Sequence, residues 1–194
     1  MDFMGGAVAA GAERPSDLGN EAVRQWAASL LLLTTMVQDC FSDNVPLPHV
    51  NVDLLAEVNS VLPGGSFSVL LRQDIDEGWH TYWRNPGDSG ASPTVAWQVP
   101  EGVFVGDFSW PYPERIAYGP LMNFGYHDQV LLPFEIKVPE DFSEPSLSIQ
   151  GEGTILVCAD ICIPEKVKLN LTLPVGRGDI DGETVELFAK ARGL

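Results

Sequence analysis

Positive charge is scarce in this sequence: 11 Lys+Arg stand against 27 Asp+Glu in 194 residues, a formal net charge of −16. No basic stripe interrupts the acidic excess, so binding along a nucleic-acid backbone is excluded. Cysteine is scarce too. Three thiols are too few for a disulfide-stapled scaffold, and the odd number leaves one without an intramolecular partner. The apolar stretch from Trp26 to Val37, WAASLLLLTTMV, is shorter than the roughly 20 residues a membrane helix needs. Internal repeats and low-complexity tracts are absent. Helical periodicity is nearly so: it shows only from Gly182 to Leu194, where Val185, Leu187, Phe188 and Ala191 share one face. What the chain does have is turn chemistry, with 19 Gly and 15 Pro spread along it, and 45% apolar residues against 20% charged. A chain of this length buries roughly 70% of its unfolded surface, so its core needs no metal or disulfide staple.

Residues 1–25 are small and mixed in charge, with no sustained apolar period, and are expected to be poorly structured or cleaved. The run Trp26 to Val37 has the length of a signal-peptide apolar region, but the acidic segment ahead of it is wrong for one. A translation start at Val23, which a GTG codon would allow, removes the conflict, because Arg24 then supplies the positive leader. Cleavage after Ser42 would place Cys40 and Ser42 at the small-residue positions and start the mature chain near Asp43. The competing reading is a buried or amphipathic N-terminal helix. The expected organisation is an extension with a signal-peptide-like segment over 1–45, a β-rich body over 46–176 and a tail or short helix over 177–194.

From His49 onward, short runs rich in β-branched and aromatic residues alternate with breakers. HVNVDLLAEV (49–58), SFSVLLRQ (66–73), WHTYW (79–83), TVAWQV (94–99), VLLPFEIKV (130–138), SLSIQGEGTILV (146–157) and KVKLNLTL (166–173) read as strands. Pro63-Gly64-Gly65, Asn85-Pro86-Gly87, Pro100-Glu101-Gly102 and Pro139-Glu140-Asp141 read as the breaks between them. Strands of this number and spacing predict an all-β, immunoglobulin-like sandwich. Pro133 marks its run as an edge strand or a bulge. Trp79, Trp83, Trp97 and Trp110 read mainly as packing, and Arg84 to Asp88 as a structured turn.

Cys158 and Cys162 stand in VCADICIPE, with a strand before and a strand after them. Three intervening residues fit a short hairpin loop, whose facing residues have Cα atoms roughly 4.5–5.5 Å apart, within reach of a disulfide. Three readings stay open on the residues alone. A static disulfide closing so small a loop removes little chain entropy. A zinc site needs two more ligands, for which His80 and His127 are available, but no second pair has zinc spacing. A redox-active dithiol needs only the pair, a way to reach it and a way to protect it.

The strings GWHTYWRNPGDSG (78–90), WPYPERIAYGPLMNFGYHDQVLLP (110–133) and VCADICIPE (157–165) together resemble the N-terminal periplasmic domain of the thiol:disulfide interchange protein DsbD, particularly its ScsB-like branch. The resemblance runs from about His49 to Pro174. It implies an exported, periplasmic, immunoglobulin-like domain. Its Cys158/Cys162 pair would accept electrons from a membrane-embedded dithiol donor and pass them to periplasmic thioredoxin-like or isomerase proteins. Neither a cofactor nor a metal is implied. By the same resemblance His80 and Tyr82 line the cysteine site, and Arg115 to Phe124 form a cap loop, with Ala117 and Tyr118 at its tip. The cysteine spacing is shorter than in better-known members, which carry an aromatic at the cap tip. The alternative class is a non-redox binding module, for copper or a protein partner, with structural or metal-ligating cysteines.

In a hairpin neither cysteine sits at a helix N-terminus, and Asp160 and Glu165 are expected to oppose thiolate formation. The pair should therefore be weakly activated at rest, with reactivity supplied by the partner. Cys162 is expected to be the attacked sulfur, because Pro164 beside it cannot continue a ladder. His80 reads equally as a packed histidine or a proton donor, Tyr82 mainly as packing with a hydroxyl able to reach a cysteine, and His127 as a solvated turn residue.

Overall fold

A computed structural model describes residues 49–193. The expected export segment, its cleavage point and Cys40 lie outside the described residues. All strands pair antiparallel. The first sheet sets β1 (Val50–Ala56) beside β2 (Ser66–Ile75), then β8 (Gln129–Lys137), then the short β5 (Phe104–Val105). A second sheet holds β4 (Thr94–Gln98), β9 (Ser146–Cys158) and β10 (Cys162–Pro174), with β9 in the middle. A third, smaller sheet orders β3 (Thr81–Gly87), β7 (Leu121–Tyr126) and β6 (Glu114–Tyr118).

The first two sheets make the sandwich because their strands alternate. Val69 and Leu71 of β2 and Leu132, Phe134 and Ile136 of β8 turn inward. There they meet Leu147, Ile149, Ile155 and Val157 of β9 and Leu169 and Leu173 of β10 in one buried cluster. Each such side chain contributes about 1.5–3 kcal/mol by leaving water. Gly151 of β9 keeps this layer thin, since a Cβ there would stand 2.8 Å from the Trp97 ring, which packs on Phe134 with ring centroids 5.3 Å apart.

The paired leucines of β2 and β8 have a second use. Leu70 and Leu131 point to the outer face of the first sheet, where helix α1 (Val185–Arg192) lays Phe188 on them, 1% exposed. Thr184 ties the helix start to β1, its hydroxyl donating to the Ala56 carbonyl at 2.9 Å. The all-β sandwich with a short C-terminal helix is thus the observed architecture.

Two local expectations change. Pro133 sits in a strand flanked on both sides, not at an edge. Its carbonyl accepts from Ser109 N–H at 2.7 Å. The N–H and C=O of a strand residue point the same way, so the donor that proline lacks faces the Ser109 side and the β2 ladder loses no rung. Asn85-Pro86-Gly87 does not end β3. The strand runs through it with a register shift between Tyr82 and Gly87, and Gly87 is needed there both for its φ of +92 and because a Cβ would lie 2.3 Å from the Met122 carbonyl oxygen.

Candidate functional site

β9 and β10 form a long hairpin whose closing pair is Cys158 and Cys162, joined through Ala159, Asp160 and Ile161. Their Cα atoms are 4.1 Å apart, slightly closer than the spacing expected across a hairpin, and the sulfurs are bonded as a disulfide. The start of β3 docks on the other side of Cys158. His80 and Cys158 exchange both backbone hydrogen bonds, each 2.9 Å, which fixes the cysteine between two strands. The two sulfurs thereby become unequal. Cys158 is 1% exposed, whereas Cys162, on the outgoing arm, is exposed.

Side-chain chemistry converges on the buried sulfur. The Tyr82 hydroxyl donates to Cys158 Sγ at 3.0 Å and lies 3.9 Å from Cys162 Sγ. His80 Nε2 lies 3.2 Å from that hydroxyl, and both side chains are buried. His127 stands behind His80 with ring centroids 5.7 Å apart, and its Nδ1 lies 3.0 Å from a Glu114 carboxylate oxygen. Burial, and then the neighbouring His127, hold the His80 imidazole below its ordinary pKa. Burial, and then Tyr118, raise the Tyr82 phenol. His80 and His127 are thus engaged with Tyr82 and Glu114. Among the described residues no group of three or more His, Cys, Asp or Glu side chains is arranged to hold a metal ion.

The expected cap loop is a β-hairpin, β6 and β7, turning at Gly119-Pro120. Alternation sorts its residues. Tyr82 pairs with Gly125 and Gly125 with Glu114, so Ile116 and Tyr118 share the Tyr82 face of the small sheet. Tyr118 reaches the cysteine loop, its hydroxyl 3.5 Å from the Asp160 carbonyl, and stays half exposed. Ala117 and Phe124 fall on the opposite face, where Phe124 meets Trp83 edge-on with centroids 6.4 Å apart. Glu165 also departs from expectation. Three residues beyond Cys162 it has the opposite strand parity, and its Oε1 accepts the His49 N–H at 2.7 Å on the far side of β10 from the sulfurs.

Sequence reasoning missed the residues that hold this arrangement. Gly90, at φ +91, lies so close to Tyr82 that a Cβ on it would stand 2.2 Å from the ring. Asp88 accepts the Met122 N–H at 2.8 Å, and buried Asn123 accepts both the N–H and the hydroxyl of Ser89 at 3.0 Å each. The segment after β3 therefore clasps the cap hairpin. The composition of GDSG signalled a turn but not what the turn would grip. Ile161, 64% exposed beside Cys162, is the apolar tip of the cysteine loop.

The family described as the N-terminal domain of the thiol:disulfide interchange protein DsbD matches residues 51–174. The chain belongs to this DsbD N-terminal family. Among solved structures it is similar to the N-terminal periplasmic domain of ScsB from Proteus mirabilis, at 26% identity and TM-score 0.56, over 75% of this chain and 53% of that one. It thus spans about half the length of that ScsB domain. It is also similar to the Neisseria meningitidis DsbD N-terminal domain in the reduced form, at 15% identity and TM-score 0.40, over 65% of this chain and 86% of that one. No curated protein matches the sequence. Within this DsbD-type domain the closed hairpin pair, Cys158 and Cys162, is the disulfide.

Proposed function

We propose that this domain is a periplasmic electron carrier. A membrane-embedded dithiol donor reduces the Cys158–Cys162 disulfide, and the resulting dithiol reduces thioredoxin-like or isomerase proteins. The observation that carries this reading is the asymmetry of the pair, with Cys162 exposed and Cys158 buried under Tyr82. A donor thiolate attacks Cys162 Sγ, forms a mixed disulfide there and expels Cys158 as a thiolate. The donor's second thiolate then attacks its own sulfur in that bond and frees Cys162. Two electrons enter the domain, and the same steps in reverse hand them on.

The surroundings suit such a carrier. Ile161 and Tyr118 form an apolar rim beside Cys162 against which a partner can pack, and β6–β7 acts as the cap, with Tyr118 the tip residue turned toward the cysteine loop and Phe124 packed on Trp83 on the opposite face. Ala117 borders the tip without facing the sulfurs. The described residues contain no helix long and apolar enough to cross a membrane, and the membrane dithiol is assigned to a partner body. The periplasmic setting is taken from the ScsB neighbour.

Equilibration against a graded series of glutathione and thioredoxin couples tests the proposal. The expected result is a pair that titrates reversibly within the exchangeable range and reduces rapidly. A pair that resists reduction, or that binds copper or zinc stoichiometrically once reduced, overturns it.

A further inference from the structure

We propose that His80 is a positioning residue for the exchange reaction: its Nε2–H donates to the Tyr82 oxygen and so commits the single Tyr82 hydroxyl proton to Cys158 Sγ. The inference rests on the thiol-exchange reading and deepens it. A tyrosine hydroxyl has one proton to give, and here three neighbours could accept it: Cys158 Sγ at 3.0 Å, His80 Nε2 at 3.2 Å and, farther off, Cys162 Sγ at 3.9 Å. If Nε2 were unprotonated, imidazole nitrogen would outcompete sulfur as acceptor and the hydroxyl would turn away from the cysteine. With Nε2 protonated the chain runs one way, from His80 N–H to Tyr82 O and from Tyr82 O–H to sulfur. Both side chains and the sulfur are buried, so water does not replace either bond.

That direction matters in one step. When a dithiol partner's thiolate attacks Cys162 Sγ, the new sulfur–sulfur bond forms as the Cys158–Cys162 bond breaks, and the bonding pair leaves on Cys158 Sγ. The leaving thiolate is buried, and among the described residues no Lys or Arg side chain is hydrogen-bonded to it. The Tyr82 hydroxyl, polarised by His80, is the donor already aimed at it, and a hydrogen bond to a charged acceptor is the strong kind. The titratable groups around the network are Tyr82 on its own strand, Cys158 from β9, Cys162 from β10, Asp160 from the loop between them, His127 from the β7–β8 turn, and Glu114 and Tyr118 from β6. None but Tyr82 is hydrogen-bonded to Cys158 through a side chain.

Two measurements on the full chain test this, with dithiothreitol as the probe dithiol. The first is the rate of disulfide reduction in rapid mixing. The second is the pKa of the Cys158 thiol, read by thiolate ultraviolet absorbance with Cys162 and Cys40 replaced by Ser. His80→Phe should slow reduction by about tenfold or more and raise the Cys158 pKa by about one unit, the loss of a hydrogen bond to a charged group. His80→Gln, whose amide can donate in place of Nε2, should recover most of both. Tyr82→Phe should reproduce the His80→Phe effect, and adding His80→Phe to it should change nothing further. A Cys158 pKa unmoved by His80→Phe, or an undiminished His80→Phe effect in the Tyr82→Phe background, overturns the inference while leaving the carrier reading intact. Failure of the unsubstituted pair to exchange with dithiothreitol overturns the carrier reading instead. Should His80→Phe fail to fold, Tyr82→Phe and His80→Gln decide it: an unchanged Cys158 pKa in Tyr82→Phe is the overturning result.

Discussion

The ring of Tyr82 rests on the bare Cα of Gly90: a methyl built there would stand 2.2 Å from the ring, whose hydroxyl lies 3.0 Å from Cys158 Sγ. Gly90 also holds φ +91, a conformation that L side chains rarely adopt. Gly90→Ala must therefore displace either the loop or the tyrosine. The expected cost is about 1–3 kcal/mol, or roughly 2–4 °C in Tm per kcal/mol. Slower disulfide reduction should accompany it, because the hydroxyl no longer meets the sulfur. A thermal melt and a reduction rate both equal to those of the parent would show that the loop yields without moving Tyr82.

The burial difference within the cysteine pair predicts which sulfur is caught. Cys162 is exposed and Cys158 is 1% exposed, so an incoming thiolate reaches Cys162 first. A Cys158→Ser variant should accumulate mixed disulfides with a partner or with a small-molecule disulfide probe, and Cys162→Ser should give few. Non-reducing electrophoresis reads this directly. Trapping through Cys158 alone reverses the assignment, and requires β3 to move off the hairpin before exchange.

Asp88 and Asn123 hold the β6–β7 hairpin to the segment after β3. Asp88 accepts the Met122 N–H at 2.8 Å, and buried Asn123 accepts two hydrogen bonds from Ser89. Asn123→Ala leaves the Ser89 donors short of their acceptor and should cost about 1–3 kcal/mol. Asp88→Ala, at a more exposed position, should cost less in stability but loosen β6–β7. Amide exchange in β7 should quicken in both, and alkylation of the reduced pair should speed up. Unchanged β7 protection would mean that the cap is held by β3 pairing alone.

Phe188 gives a check on the outer layer. It is 1% exposed between Leu70 and Leu131, and Phe188→Ala should lower stability by about 3–5 kcal/mol. Chemical denaturation measures this. The disulfide exchange rate should stay close to that of the parent, because α1 lies on the outer face of the first sheet and the cysteines lie at the end of the second.

Much of this arrangement was legible in the residues before any coordinates. The seven alternating runs declared themselves because alternation has to match a two-faced layer, and Cys158-x-x-x-Cys162 between two such runs could hardly be other than a hairpin end. The region from Phe104 to Tyr126 was opaque for a physical reason. Strands β5 and β6 are short and largely exposed, and β6 and β7 follow Trp110-Pro111-Tyr112-Pro113, which reads as loop, so pairing and not propensity decides them. The Tyr82 face was hidden in the same way. Which of Ala117, Tyr118 and Phe124 turns toward the cysteines depends on one register, Tyr82 with Gly125 with Glu114, and a one-residue slip would exchange their faces. Gly90 could be seen as a turn residue, but its contact partner lies eight positions back across a bulged strand.

The pH dependence of stability follows from His80. Burial, and then the nearby His127, hold its pKa below the ordinary value of about 6.5. As pH falls through 6.5 the unfolded chain takes up this proton while the folded chain does not, so the unfolded state gains and stability declines. The decline ends only once the folded imidazole is protonated as well. The His80 contribution to stability is therefore fully present above about pH 6.5 and is lost as pH falls from there through the lowered folded-state pKa. His49 and His127 are common to parent and variant, and His127 enters the difference only through its repulsion of a charged His80. Melts of the parent and of His80→Gln between pH 5 and 8 should run parallel at the upper end and converge or cross toward the lower, with the parent falling more steeply. Curves that stay parallel throughout would show that the His80 proton is not linked to folding. A parent that grows relatively more stable on acidification would reverse the sign, and would require the imidazolium to find an acceptor in the folded state.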